Sequence, residues 1–371
     1  MKRIFLVSIL LSILFGCNEE KNRDKPARNI SDKEASSSLQ EFYTTLHARM
    51  NEGVMLGHQD ALAYGNMWYG EAGRSDVKSV CGDYPAVVGW NLGKVEVNSA
   101  LNTDSVPFAK IKEYVAKVNK MNGITTFNWS VANPAGKDIT GKGVVASILP
   151  GNENHNTYIS YLDHLANFFL ELKDENGNYI PVIFRPFDSP ATTDSWWNLR
   201  NNTADEYKEL WKMTVDYLRS NKGIHHVLYA YSVYAPSSES DISEYYPGDE
   251  YVDVVGVNLY LDLNDDSDGS IFKKDLDKSL DVASKFSEKH SKITALTDTG
   301  LKGIKLSNFF SSIVEPVISK HKISYILFGR NAWNIEEYYH IPVPGHPASE
   351  DFAEFASSPR ILTSGKLDRK S

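Results

Sequence analysis

Residues 179–198 read YIPVIFRPFDSPATTDSWWN. The first six, Tyr179 to Phe184, form an apolar, β-branched run of the length of one buried strand. The run halts at Arg185 and Pro186. A polar loop carrying Asp188, Ser189 and Asp194 then leads to the paired Trp196 and Trp197. A strand that ends in a cation and opens into acids, hydroxyls and flat rings has the chemistry of a rim that grips sugar hydroxyls. Alone, the stretch would equally suit a strand, a turn and two core aromatics. Seven comparable strand ends elsewhere in the chain favour the first reading.

In both directions from this stretch, strand and helix alternate. Short apolar runs at 54–56, 86–92, 124–127, 227–231, 251–260, 293–296 and 323–328 join 179–184 to make eight strands. Stretches with apolar spacing of three and four at 31–51, 106–121, 158–172, 204–220, 274–290 and 306–321 read as helices. Ser31 or Asp32 would cap the first helix and Thr203 the fourth. Eight strands separated by amphipathic helices predict an α/β fold, a single (β/α)8 TIM barrel. An open doubly wound sheet is disfavoured, because no Gly-x-Gly-x-x-Gly follows the first strand. In a barrel all eight C-terminal strand ends meet on one face. That face would gather His58, Gln59, Asp60, Trp90, Asn91, Asn128, Trp129, Ser130, Arg185, Asp188, Ser189, Tyr231, Asn258, Tyr260, Thr297, Asp298 and Trp333.

Composition narrows the classes. A net charge of −9 without a basic patch argues against a nucleic-acid partner. Aromatics at 12%, with 20 Tyr and 7 Trp, are rich enough to suit carbohydrate stacking. No Cys/His cluster or His-x-x-x-His spacing occurs, so neither a metal nor a cofactor is expected. No Gly-x-Ser-x-Gly elbow is present either.

The start of the chain suggests a compartment. Lys2 and Arg3 precede an apolar run, Ile4 to Phe15, of signal-peptide length and too short to cross a bilayer. Leu14-Phe15-Gly16-Cys17 resembles a bacterial lipobox. The expectation is a signal peptide over 1–16, lipid attachment at Cys17, a flexible tether over 17–35 and one catalytic-type domain over 36–371. The membrane would then be a partner through the lipid, and the cell envelope the location.

The fourth-strand segment, Thr297-Asp298-Thr299-Gly300, Gly57-His58-Gln59 and Tyr246-Pro247-Gly248-Asp249 together resemble glycoside hydrolase family 26. Its members are mostly bacterial endo-β-1,4-mannanases, with others acting on xylan and mixed-linkage glucan. The likeness runs from about Leu39 to Trp333 in the family's order. It implies a retaining barrel enzyme with glutamates at the ends of strands four and seven, and His58, Trp90, Trp129, Arg185, Trp196, Trp197 and Tyr260 as substrate contacts.

The departures fall on the chemistry. The family's Arg-Pro-x-His-Glu is here Arg185-Pro186-Phe187-Asp188-Ser189, so Ser189 stands at the acid/base position. The family's nucleophile position is Asp298, one carbon short. Ser130, Asn258 and Gly329 replace a histidine, an aspartate and a tryptophan. A serine hydroxyl cannot protonate a leaving oxygen near neutral pH, which forfeits on the order of 10²–10⁴-fold in rate. Withdrawing the nucleophile by about 1 Å can cost on the order of 10²-fold more. The resemblance therefore implies an inactive or severely impaired scaffold that keeps weak β-mannan binding. The alternative is an active retaining endo-β-1,4-mannanase with Asp188 or Asp194 as acid. Alternation along a strand predicts that Asp188 does not project where Ser189 does, which disfavours that alternative.

Overall fold

The computed structural model describes residues 29–136, 142–191 and 195–367. Residues 1–28, with Cys17, and Asp194 lie outside the described residues. Eight parallel strands form the centre: β1 (Val54–Gln59), β2 (Val87–Asn91), β3 (Ile124–Asn128), β4 (Val182–Arg185), β5 (Val227–Tyr234), β6 (Val254–Leu261), β7 (Ile293–Leu301) and β8 (Tyr325–Phe328). Each pairs with the next, and β8 pairs back to β1, with Met55 opposite Tyr325 and His58 opposite Phe328. The barrel is closed, which abolishes sheet edges. Helices α1 (Ser37–Arg49), α2 (Asp76–Cys81), α3 (Phe108–Lys120), α4 (Val144–Ile148), α5 (His155–Leu170), α6 (Ala204–Asp216), α7 (Glu239–Ser243), α8 (Ser270–His290), α9 (Glu315–Ile318) and α10 (Ser349–Ser357) surround it. The single (β/α)8 barrel expected from the spacing is the observed fold.

Alternation along the strands divides the core in two. Met55, Val87, Ile124, Ile183, Leu228, Ala230, Val254, Ile293, Ala295, Tyr325 and Leu327 share one buried cluster, which fills the barrel. Their strand neighbours, such as Leu56, Val88, Phe127, Phe184, Tyr229, Val255 and Ile326, belong to the second cluster, which packs the strands against the helices. Helix α1 closes the N-terminal end of the barrel. Its Leu39, Tyr43 and Leu46 join the inner cluster, and the Tyr43 hydroxyl donates to Ser291 O at 3.2 Å, just ahead of β7.

Two expectations about this end need correction. The first helix starts at Ser37, not at 31, because Ser36 is the residue whose side chain accepts from the Leu39 N–H. Ser31 to Ala35, assigned to the flexible tether, are bound to the barrel. The Ser31 N–H donates to Asp253 Oδ1 at 2.6 Å, and Asp32 Oδ2 lies 2.9 Å from His225 Nδ1 and 3.8 Å from Arg219 Nε. Asp253 is fully buried, and its two carboxylate oxygens accept from the Ser31 and Tyr229 N–H groups.

One irregularity shapes the opposite, C-terminal end. Between β6 and β7 the register shifts: Val257 faces Leu296, but Asn258 faces Asp298. Thr297 is the extra residue of a bulge, a device common beside functional sites. Thr297 keeps the inward side of Ile293 and Ala295, where its Oγ1 meets Ser232 Oγ at 3.0 Å, and the bulge brings the next residue, Asp298, level with inward-facing Asn258. Only a glycine at 256 leaves room, since a Cβ there would lie 2.4 Å from Thr297 Oγ1.

Because α1 contributes three side chains to the inner core, Leu39→Ala should cost about 2–5 kcal/mol. A fall of several degrees in the melting temperature by calorimetry is expected, with the far-UV circular dichroism unchanged. An unaltered melting temperature would mean that α1 is not part of the cooperative unit.

Candidate active site

Strand β4 delivers Arg185 into the barrel mouth, and its guanidinium is only 4% exposed. A cation removed from water needs partners of opposite charge or good acceptors. Three are supplied, two from other strands and one from the loop that follows β4. Arg185 Nη1 donates to Asn258 Oδ1 at 2.9 Å, Nη2 lies 3.5 Å from Asp298 Oδ2, and Nη1 lies 3.9 Å from Asp188 Oδ2.

Asn258, on β6, is the hub. Its Oδ1 also accepts from Thr297 Oγ1 at 2.7 Å, while its Nδ2 donates to Ser189 Oγ at 2.8 Å and approaches Asp188 Oδ2 at 3.5 Å. The amide orientation follows from this network, because guanidinium and hydroxyl donors must face the carbonyl oxygen. Tyr260, two residues on and hence on the same side of β6, donates its hydroxyl to Asp298 Oδ1. Both oxygens of Asp298 are thereby engaged. Burial raises its carboxyl above the ordinary range; Arg185 and the Tyr260 hydrogen bond oppose that rise, and Asp188 adds to it.

The geometry corrects the alternation argument for Asp188. Asp188 and Ser189 do not diverge; both reach the Asn258 amide. The reason is the backbone at Ser189, whose φ of +46° is left-handed and breaks the strand pattern. Its N–H is tied to Ser232 O at 3.1 Å. A second carboxylate therefore does stand near Asp298 across one guanidinium. The groups nearest its Oδ2, the guanidinium and the Asn258 amide, are both donors, so that oxygen is placed to accept a hydrogen bond.

Most of the expected aromatic platforms are also corrected. Trp90 is fully buried and stacks on Tyr114 of α3 with ring centroids 5.4 Å apart. Trp129, at 1% exposure, donates to Glu96 Oε2, and Trp196, also at 1%, donates to Val131 O. Alternation puts Trp90 and Trp129 on the outer faces of their strands, where they bind helices rather than ligand. Trp197 is buried too and backs Asp188, donating to its carbonyl at 3.3 Å. His58, likewise on an outer face, is fully buried, and burial pushes its ring down to about 3. Asn331 is its polar neighbour, yet neither ring nitrogen has a hydrogen bond of normal geometry.

Of the expected site residues, the structure gathers Arg185, Ser189, Tyr260 and Asp298 at the mouth. Ser232 and His340 were not foreseen. Ser232 follows inward-facing Leu228 and Ala230 by alternation, but the strand was expected to stop at Tyr231. His340 packs edge-on to Tyr260, ring centroids 5.3 Å apart, from a long loop after β8 that carries no sequence signal. It fills the space beside Gly329, where a Cβ would lie 2.9 Å from His340 Cδ2 and 2.7 Å from the Tyr260 hydroxyl.

The family model for glycosyl hydrolase family 26 matches residues 31–295. The chain belongs to that family. A mannan endo-1,4-beta-mannosidase from Bifidobacterium adolescentis is 30% identical over 91% of the chain, which spans only 36% of that relative's length. A second, from Bacillus subtilis, is 23% identical over 63% of the chain and 66% of its own. Among solved structures, a GH26 β-mannanase from Bacteroides ovatus superimposes with a TM-score of 0.85 at 38% identity, covering 89% of this chain and 96% of that one. GH26C from a Muricauda species gives 0.81 at 28% identity, covering 91% and 94%. The family-26 barrel is thus the scaffold on which the mouth residues sit.

The raised Asp298 carboxyl has a pH signature. A carboxyl lifted above its unfolded value stabilises the fold at low pH, and that contribution is lost as pH rises through the lifted value. Asp298→Asn removes a group whose ionisation burial opposes. Its melting temperature relative to wild type should therefore be higher at about pH 7 than at about pH 4. The same difference at both pH values would rule out a raised carboxyl.

Proposed function

We propose that this chain is a family-26 barrel that holds β-mannan-type glycan in its cleft but hydrolyses it little or not at all. The observation that carries this reading is the state of Ser189. Its hydroxyl occupies the position where the family's resemblance places a proton donor, and it accepts from the Asn258 amide at 2.8 Å. Retaining hydrolysis needs two carboxyl groups about 5–5.5 Å apart, one to protonate and one to attack. Asp298 offers the attacking oxygen from a shortened side chain, with Tyr260 bound to one oxygen and Arg185 beside the other. Asp188 is the only other described carboxylate beside Arg185. An active endo-β-1,4-mannanase would have to draw its proton from Asp188 or from Asp194.

We also propose lipid attachment at Cys17 and a place in the bacterial cell envelope, on the strength of the lipobox-like Leu14-Phe15-Gly16-Cys17.

Reducing-sugar release from galactomannan separates inactivity from turnover. The purified chain is expected at background, and Ser189→Glu combined with Asp298→Glu is expected to rise above it. The gain should stay modest, because Ser130, Asn258 and Gly329 remain. Turnover by the wild type that Asp298→Ala abolishes would overturn the proposal. A folded double variant that stays at background would remove the assignment of Ser189 and Asp298.

A further inference from the structure

With the barrel tryptophans buried, a pair of large aromatic rings that stays open on the C-terminal face lies elsewhere. Tyr69 is 43% exposed and Trp333 is 36% exposed. Tyr69 belongs to a small hairpin after β1, Tyr64–Gly65 paired with Trp68–Tyr69, and Trp333 to the loop after β8. Strands β1 and β8 are neighbours, so the two loops meet above them. The rings contact edge to face, centroids 5.3 Å apart with planes 62° from parallel, and form an angled aromatic corner.

The corner is rigid. The Tyr69 hydroxyl donates to Ser105 O at 2.6 Å, and its inner face stacks on Tyr64, planes 8° from parallel. Tyr64 is anchored in turn by donating to Asp60 Oδ2 at 2.6 Å. The Met67 N–H reaches Ala332 O at 3.4 Å, which ties the hairpin to the Trp333 loop. Large rings held fixed while facing water are costly unless something covers them.

The surroundings state what would cover them. Arg330 Nε and Asp104 Oδ1, 3.3 Å apart, neutralise each other beside the corner, so the surface suits a neutral ligand. Both keep hydrogen-bonding capacity for hydroxyl groups. The corner is also continuous with the cleft. Arg330 lies over Tyr338, Tyr338 packs on His340, and His340 packs on Tyr260, which holds Asp298. A flat apolar face edged by balanced hydrogen-bonding groups matches the alternating C–H and O–H surfaces of a pyranose ring.

We propose that Tyr69 and Trp333 form a glycan platform that holds a neutral β-linked hexopyranose chain beyond the Arg185–Asp298 mouth. This deepens the cleft-binding reading and rests on it. The platform acts on long oligosaccharides and leaves short ones to the mouth alone. No bond is made or broken there, so its contribution is to affinity.

Affinity electrophoresis of the purified chain in galactomannan gels, with calorimetric titration of mannohexaose and mannobiose, tests the assignment. Tyr69→Ala and Trp333→Ala should each weaken mannohexaose binding by about tenfold and leave mannobiose binding unchanged. Trp333→Phe should retain most of the affinity, because a flat ring remains. Thermal melting of each variant verifies the fold. If wild type is retarded in the gel and the double alanine variant is retarded equally, the platform is wrong while the cleft-binding reading stands. If wild type binds neither galactomannan nor mannohexaose, both are overturned.

Discussion

The mouth of this barrel depends on one buried cation. Arg185 rises from β4 into a space with almost no solvent, and an uncompensated guanidinium there would cost several kcal/mol. Asp298, Asp188 and Asn258 surround it from three directions. This gives Asp298 a duty independent of any reaction: its Oδ2 balances the arginine. A barrel that loses its proton donor can shed the chemistry, yet it cannot discard that carboxylate without exposing the cation. The bulge at Thr297 and the glycine at 256 serve the same centre, since together they let the Asn258 oxygen receive both a guanidinium and a hydroxyl.

The fold was legible because apolar runs of the right length recur between amphipathic stretches, and every one of the eight runs became a barrel strand. The boundaries drifted where polar residues carry the strand onward. β7 continues through Thr297, Asp298 and Thr299 to Leu301, and β5 through Ser232 to Tyr234, because an inward polar residue in a barrel mouth finds partners across the strands. The site was legible in Arg185, Ser189, Tyr260 and Asp298, whose segments carry the family resemblance. It was misjudged wherever a strand end was read without its parity. Met55 and Gly57 face in, so His58 faces out. The same count sends Trp90 and Trp129 outward, and a buried outer tryptophan is a packing residue whatever its chemistry permits. The direction of Asp188 was misjudged for the opposite reason, since a left-handed serine is invisible in the sequence and cancels the alternation. Trp333 was legible as a rim residue, but its pairing with Tyr69 was beyond reach of any local signal, because the contact is made by loops far apart in the chain.

The strap formed by Ser31 to Ala35 fixes how the barrel can be presented. It crosses the N-terminal end, held by Asp253, Arg219 and His225, and the Lys292 ammonium reaches Asn29 O at 3.4 Å at the same end. Asn29 and the strap thus lie at the pole opposite the cleft. Anything that grips the barrel by this strap leaves the Arg185–Asp298 mouth uncovered.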